Sequence, residues 1–139
     1  MANSYSYHIL VTDKNHHVRD LLVRELNRDG CVTYNVNSCL SAYRHILSNA
    51  PLDLVILDPE LFKPGHLDLF RQILQGLPTT PIIIHTYPDT LYFPGTMRNI
   101  FVITKNADSV IQIKETIQSL RPHQDEKTAE DMSDPALRS

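Results

Sequence analysis

The sequence is poor in glycine and cysteine, and each shortage argues against a class of protein. Glycine accounts for only 4 of the 139 residues, and no glycine-rich loop follows the first apolar run. A nucleotide or flavin site built on such a loop is therefore not expected. The 2 cysteines, Cys31 and Cys39, form no CxxC motif and have no metal-site spacing to histidine. This pattern favours structural thiols over a disulfide or a metal site.

The sequence also lacks a basic surplus and any long apolar stretch. Its formal net charge is -3, and lysine and arginine are scattered along the chain, whereas nucleic-acid-binding surfaces concentrate them. No apolar run approaches the roughly 20 residues of a membrane helix. The first residues have none of the regions of a signal peptide. We therefore expect a cytoplasmic protein that contacts neither nucleic acid nor membrane directly.

The composition that remains is that of one packed domain. Hydrophobic residues make up 42% of the chain and charged residues 21%, which is ordinary for a globular protein. Residues 121–139 contain few apolar residues and no periodicity, which is typical of a flexible tail or a linker. The expected organisation is a domain over 1–120 followed by that tail.

Short apolar runs predict the strands of a sheet. Continuous runs at 54–57, 81–86 and 100–104, together with 7–12, are typical of strands buried on both faces of a parallel sheet. The run at 31–36 alternates between apolar and polar residues, which places it at an edge of the sheet.

Apolar residues between these runs repeat at helical spacing. The apolar stripes predict helices over 18–26, 40–47, 67–77 and 110–120. Ser38 and Asp108 are placed to cap the second of these helices and the last. Strands that alternate with helices indicate an α/β fold with a doubly wound parallel sheet and right-handed crossovers.

The segment between the fourth and fifth strands, 87–99, interrupts this alternation. It contains Pro88, Pro94 and Gly95, and proline and glycine break helices. The helix expected there is therefore short, irregular or absent. The aromatic residues Tyr87, Tyr92 and Phe93 of this segment either pack in the core or form an exposed contact.

Polar side chains follow the strands at the edge where ligands bind in such sheets, beyond the carboxyl ends of the strands. They are Asp13, Asp58, Thr86 and Lys105. Each residue alone is more simply explained as a helix cap or a loop residue. Together, two carboxylates, a hydroxyl and an ammonium supply what phosphoryl transfer to a carboxylate requires.

Four segments, in this order, resemble the receiver domains of two-component response regulators. They are HILVTDKNHHVRDLLVREL (8–26), DLVILDPELF (53–62), PIIIHT (81–86) and IFVITKN (100–106). The resemblance extends from about residue 8 to residue 120. It implies a CheY-like, flavodoxin-like sheet with strand order 2-1-3-4-5. It also implies Asp58 as the phosphoacceptor, Asp13 as a member of the acidic pocket, Thr86 as the switch hydroxyl and Lys105 as the phosphoryl contact.

Two functions follow from this resemblance. In the first, a histidine kinase or a phosphotransfer protein donates a phosphoryl group to Asp58, and the added charge changes a surface that binds an output protein, an effector domain or a second copy. Such a domain is not an enzyme beyond its own phosphorylation and dephosphorylation. In the second, the chain is a pseudo-receiver that signals by protein binding without phosphate.

The sequence departs from the family at the metal site. The family has two adjacent acids after the first strand, and here the second position is Lys14. The expected metal ligands are Asp13, Asp58 and Glu60, and the added ammonium should make Mg²⁺ binding weak or absent. The Lys14 side chain either pairs with Asp58 in place of the cation or turns to solvent.

Two further departures lie in the fifth strand and directly after it. Asn106 follows Lys105 where the family has a proline in a cis peptide, so a trans peptide is expected here. The aromatic switch position of the family aligns with Val102. Coupling of Thr86 to an aromatic side chain is therefore not expected, and these departures favour the pseudo-receiver.

Overall fold

The protein, for which we use a computed structural model, is described at residues 6–87 and 99–121. Five parallel strands form one sheet in the order β2-β1-β3-β4-β5. The strands are β1 (His8–Thr12), β2 (Val32–Val36), β3 (Leu54–Leu57), β4 (Ile82–Thr86) and β5 (Ile100–Thr104). The predicted α/β class, the strand order and the edge position of the second strand are confirmed.

Helices cover both faces of the sheet. They are α1 (His16–Arg28), α2 (Cys39–Leu47), α3 (Leu67–Gly76) and α4 (Ser109–Leu120), and a short 3-10 helix spans Pro59–Phe62. The short helix expected within 87–99 and the tail expected from residue 121 fall almost wholly outside the described residues. None of the helices in the described ranges has the length and apolarity needed to cross a membrane.

Side-chain caps fix where the first two helices begin. The Asn15 side chain accepts hydrogen bonds from the N–H groups of His17 and Val18 at the start of α1, a role that the sequence analysis missed. Ser38 caps α2 as predicted, because its side chain accepts from the N–H of Ser41. Asp108 occupies the N-cap position of α4, but its side chain makes no capping hydrogen bond.

Two apolar clusters, one on each face, hold the helices to the sheet. On one face, Leu22 of α1 and Ile113 of α4 pack with Ile9, Ile56 and Ile83 of the strands. On the other face, residues of α2 and α3 pack with the remaining strand residues, which include Leu10, Val55 and Ile84. All residues of β3 and β4 are buried, as expected for central strands of a parallel sheet.

The register brings the carboxyl ends of β1 and β3 together. Val11 lies opposite Ile56 in this parallel pair. One residue further along β1, the Thr12 hydroxyl donates to the Ile56 carbonyl at 2.9 Å and accepts from the Asp58 N–H at 3.2 Å. This buried hydroxyl therefore ties the two strand ends to each other directly beneath the polar edge.

We predict that a leucine-to-alanine substitution lowers the free energy of unfolding much more in the core than at the surface. Leu22→Ala should lower the free energy of unfolding by about 2–5 kcal/mol, because Leu22 is fully buried and the truncation leaves a cavity. Leu47→Ala, at a residue that is 60% exposed, is the matched control and should change it by less than about 0.5 kcal/mol. Urea unfolding measures both, and equal losses would contradict this packing.

Candidate functional site

The predicted polar edge contains a buried group of two carboxylates and one ammonium. Asp13 follows β1, Asp58 follows β3 and Lys105 follows β5. The Lys105 Nζ lies 3.1 Å from an oxygen of each carboxylate. Three side chains from distant parts of the chain therefore form one ion cluster, as predicted from the ends of the strands.

Asp58 is held by main-chain donors as well as by Lys105. The Lys14 N–H donates to Asp58 Oδ2 at 2.8 Å, and the Glu60 N–H donates to Asp58 Oδ1 at 3.0 Å. Both donors lie in the segments that directly follow β1 and β3. The side chain of Asp58 is fully buried, so in this conformation no oxygen of the carboxylate faces solvent. The phosphoacceptor role that the resemblance implies needs an oxygen that a donor can reach, and this conformation offers none.

The charges of the cluster shift two pKa values upward. Burial raises the pKa of Asp13 above its ordinary value and the Asp58 charge adds to this, although the Asn15 N–H and Lys105 oppose it. Burial alone would lower the pKa of Lys105, but the two carboxylates outweigh burial and raise it. Lys105 is therefore charged at neutral pH, and the cluster holds one ammonium for two carboxyl groups.

Lys14 does not supply the ammonium that pairs with Asp58. Its side chain is exposed, and within the described ranges it forms no ion pair, while its main-chain N–H binds the carboxylate. The expected pairing of the Lys14 side chain with Asp58 was wrong. The alternative expectation, that this side chain turns to solvent, agrees with the structure. The pairing cation is Lys105, because its side chain reaches inward from the end of β5.

The residues present fit a divalent cation poorly. Glu60 directs its carboxylate to Lys63 Nζ at 3.3 Å, and its carbonyl accepts from the Lys63 N–H. The described residues include no group of three or more acidic, histidine or cysteine side chains arranged to hold a metal ion. The expected ligand set of Asp13, Asp58 and Glu60 is thus not assembled, and Lys105 lies between the first two.

Thr86 ends β4 at the same edge. Its carbonyl accepts from the Lys105 N–H at 2.7 Å, and its hydroxyl donates to the Tyr87 carbonyl at 3.3 Å. The ring of Tyr87, half exposed, lies 5.4 Å from the Lys105 Nζ. Thr86 is therefore linked to the cluster through the main chain, and its assignment as a switch stays a prediction.

Two further residues lie at the site and were not predicted from the sequence to have a role there. Arg19 of α1 donates to the Asp13 carbonyl at 2.7 Å, and His85 of β4 lies with Nδ1 3.8 Å from Asp13 Oδ2. The signal for Arg19 is weak, since an arginine on a helix is ordinarily solvated. The signal for His85 is stronger, because a polar residue follows three isoleucines within a fully buried strand.

Solved structures of response regulators resemble this chain. The receiver protein of Sinorhizobium medicae WSM419 has a TM-score of 0.70 at 19% identity, over 83% of this chain and 94% of that one. The response regulator TrrA of Thermotoga maritima, in complex with Mg²⁺ and BeF, has a TM-score of 0.65 at 26% identity, over 83% of this chain and 99% of that one. A chain in the complex of histidine kinase ThkA with TrrA has a TM-score of 0.62 at 24% identity, over 84% of this chain and 99% of that one.

The chain has the CheY-like receiver fold. No family model matches the sequence, and no curated protein matches it. Within the receiver fold, Lys105–Asn106 is a trans peptide as predicted. Val102, at the position of the aromatic switch, is an exposed side chain on β5.

We predict that removing the ammonium from the cluster strongly destabilises this receiver fold. Lys105→Met leaves two buried carboxylates without a cation, and at pH 7 the loss should be about 3–5 kcal/mol. The loss should shrink as the pH falls, because protonation of Asp13, whose pKa is already raised, removes one of the charges.

The matched control is Lys114→Met, at a surface lysine that pairs with Glu25 at 2.8 Å. This substitution should cost much less, since water and salt screen exposed ion pairs. Urea unfolding of both variants at several pH values measures the difference. A loss for Lys105→Met that equals the control, or that grows in acid, would refute the buried cluster.

Proposed function

We propose that this chain is the receiver domain of a phosphorelay, and that a histidine kinase or a phosphotransfer protein phosphorylates Asp58. The observation that carries the proposal is the Lys105 ammonium, 3.1 Å from Asp58 Oδ2 at the carboxyl edge of the sheet. This contact places a carboxylate nucleophile and a cation side by side. The ThkA complex with TrrA, a protein of the same fold, supports the choice of donor.

In the proposed reaction an oxygen of Asp58 attacks the phosphorus of the donor. The bond from phosphorus to the leaving group breaks, the leaving group keeps the electron pair, and an acyl phosphate forms on Asp58. Lys105 neutralises charge on the transferred group, and the N–H groups of Lys14 and Glu60 orient the carboxylate. Because the Asp58 side chain is buried, the donor reaches it only after side chains at this edge move.

The output of the proposed phosphorylation is a change of charge. A phosphoryl group brings a charge of about -1.5 to -2 at neutral pH, which Lys105 cannot balance while it also pairs with Asp13. A rearrangement of the β4 and β5 ends is the expected consequence, and it changes a surface for an output protein, an effector domain or a second copy. The proposed location is the cytoplasm, and the only reactions are the gain and loss of this phosphoryl group.

Magnesium is a weak partner in this proposal. TrrA is in complex with Mg²⁺ and BeF, but here Lys105 already lies between the two carboxylates and Glu60 pairs with Lys63. A divalent cation bound at Asp13 and Asp58 would neutralise phosphoryl oxygens. It must compete with the resident ammonium to do so.

A pseudo-receiver is the second candidate, and the burial of Asp58 favours it. With its side chain fully buried and three donors already on its two oxygens, Asp58 is satisfied without phosphate. In that function the cluster stabilises the fold, and the chain acts only by binding a partner protein.

We predict that incubation with a small phosphodonor, such as acetyl phosphate, gives a phosphoryl adduct on the intact chain. Mass spectrometry of the intact protein detects the adduct, and Asp58→Asn, which removes the nucleophile and keeps the shape, should abolish it. Asp53→Asn controls for labelling of another aspartate and should leave the adduct unchanged. No adduct on the wild-type protein, with or without Mg²⁺, would favour the pseudo-receiver.

We predict that Lys14→Asp strengthens Mg²⁺ binding by roughly tenfold or more, because it changes the charge beside Asp58 by two units. Lys14→Ala removes the positive charge without adding an acid and should have an intermediate effect. A Mg²⁺ titration followed by the amide signals of residues 13–15 and 58–60 measures both. Equal affinities in the wild type and Lys14→Asp would show that this position does not control the metal.

A further inference from the structure

His85 is a buried polar side chain that the reaction above does not use. It follows Ile82–Ile84 on β4, and only 2% of the residue is exposed. By strand alternation its side chain lies on the same face as that of Ile83, which packs with α1 and α4. An apolar residue would suit this position better, because an unpaired polar group in a core costs stability.

The ring of His85 has no hydrogen bond, and it lies beside the carboxylate of Asp13. Both ring nitrogens of His85 are buried without a hydrogen-bond partner in the described part of the chain. The Nδ1 of His85 lies 3.8 Å from Asp13 Oδ2, the oxygen whose ion-pair partner is the Lys105 Nζ at 3.1 Å. The two groups are thus less than 1 Å beyond the usual length of a hydrogen bond.

The geometry decides which ring nitrogen can serve as the donor. The nitrogen that faces Asp13 is Nδ1, and a neutral imidazole carries one N–H. A proton on Nδ1 pairs with the carboxylate, whereas a proton on Nε2 would leave two acceptors facing each other.

We propose that His85 is a positioning residue for phosphoryl acceptance, and that its Nδ1–H donates to Asp13 Oδ2 when Lys105 leaves Asp13 for the phosphoryl group. This role rests on the proposed phosphorylation of Asp58. In the resting state the Lys105 Nζ lies 3.2 and 3.1 Å from the two oxygens of Asp13 and 3.1 Å from one oxygen of Asp58. Once Asp58 gains charge, the ammonium is drawn to it, and among the described residues the Asn15 N–H, at 2.8 Å, is then the one donor left to the Asp13 carboxylate.

The consequence is an exchange of partners at Asp13. Leaving a buried carboxylate without a partner is costly, so without His85 the ammonium would stay with Asp13 and oppose the transfer. His85 supplies the replacement donor from the strand that ends in Thr86. It also keeps Asp13 in place, so that the ammonium returns when the phosphoryl group is lost.

The kinetic test compares His85→Val with His85→Asn. Valine has no donor, whereas the amide nitrogen of asparagine is bonded to Cγ as Nδ1 of histidine is. Phosphorylation of Asp58 by acetyl phosphate should slow by roughly 2- to 10-fold in His85→Val, the range that one lost hydrogen bond gives. It should recover in His85→Asn. At the same time His85→Val should unfold at a higher urea concentration, because an unpaired buried polar group is gone.

A purely structural role for His85 gives the opposite pattern. Phosphorylation rates of the two variants would then follow their stabilities, with His85→Val at least as fast as the wild type, and that result would overturn the proposal.

A second measurement does not depend on phosphorylation. ¹⁵N NMR of the imidazole reports which nitrogen carries the proton, in the wild type and in Lys105→Met, where Asp13 has lost its ammonium. An Nδ1–H tautomer supports the proposal, and an Nε2–H tautomer in the folded wild type overturns it even if Lys105→Met does not fold. Absence of any adduct on wild-type Asp58, together with an Nδ1–H tautomer, would instead reject phosphorylation and leave standing only the assignment of Nδ1–H as the group that faces Asp13.

Discussion

One lysine between two buried carboxylates is the interaction on which the polar edge depends. Lys105 comes from the end of β5, while Asp13 and Asp58 follow β1 and β3, so the ammonium joins three parts of the sheet. Buried charges persist only when they are paired and hydrogen-bonded. Here the main-chain N–H groups of Lys14, Glu60 and Asn15 complete the pairing, which makes the loops after β1 and β3 part of the same cluster.

The cluster holds one ammonium for two carboxyl groups, and this imbalance connects stability to function. Burial, with the Asp58 charge, raises the pKa of Asp13, and the two carboxylates raise that of Lys105, so the site is sensitive to any added anion or cation. A phosphoryl group and a divalent cation act on the same ammonium in opposite senses, since one attracts it and the other displaces it. Because the Lys14 side chain is exposed, the cation between the two carboxylates is Lys105.

The sequence predicted the parts of the fold that depend on pattern. Continuous apolar runs such as 54–57 identified central strands, and the alternation at 31–36 identified an edge strand. The spacing of apolar residues gives this result because it depends on whether one or both faces of a strand are buried. Because Asp13, Asp58 and Lys105 each directly follow a strand of a parallel sheet, the sequence also predicted that they meet at one edge. Side-chain direction was not predictable: Lys14 and Lys105 are both long, and only the packed backbone decides which one reaches Asp58. The cap at Asn15, the lack of a side-chain cap from Asp108, and the contact of His85 with Asp13 likewise depend on local geometry.

The most direct test of the cluster is the NMR signal of the Lys105 ammonium itself. A buried, hydrogen-bonded ammonium exchanges its protons with water slowly, so the expected result is a resolved Lys105 ¹⁵N signal at neutral pH with couplings to the carboxyl carbons of both Asp13 and Asp58. The exposed Lys14 provides the reference within the same molecule. A Lys105 signal that exchanges as fast as that of Lys14, or that couples to neither carboxylate, would contradict the buried three-residue cluster.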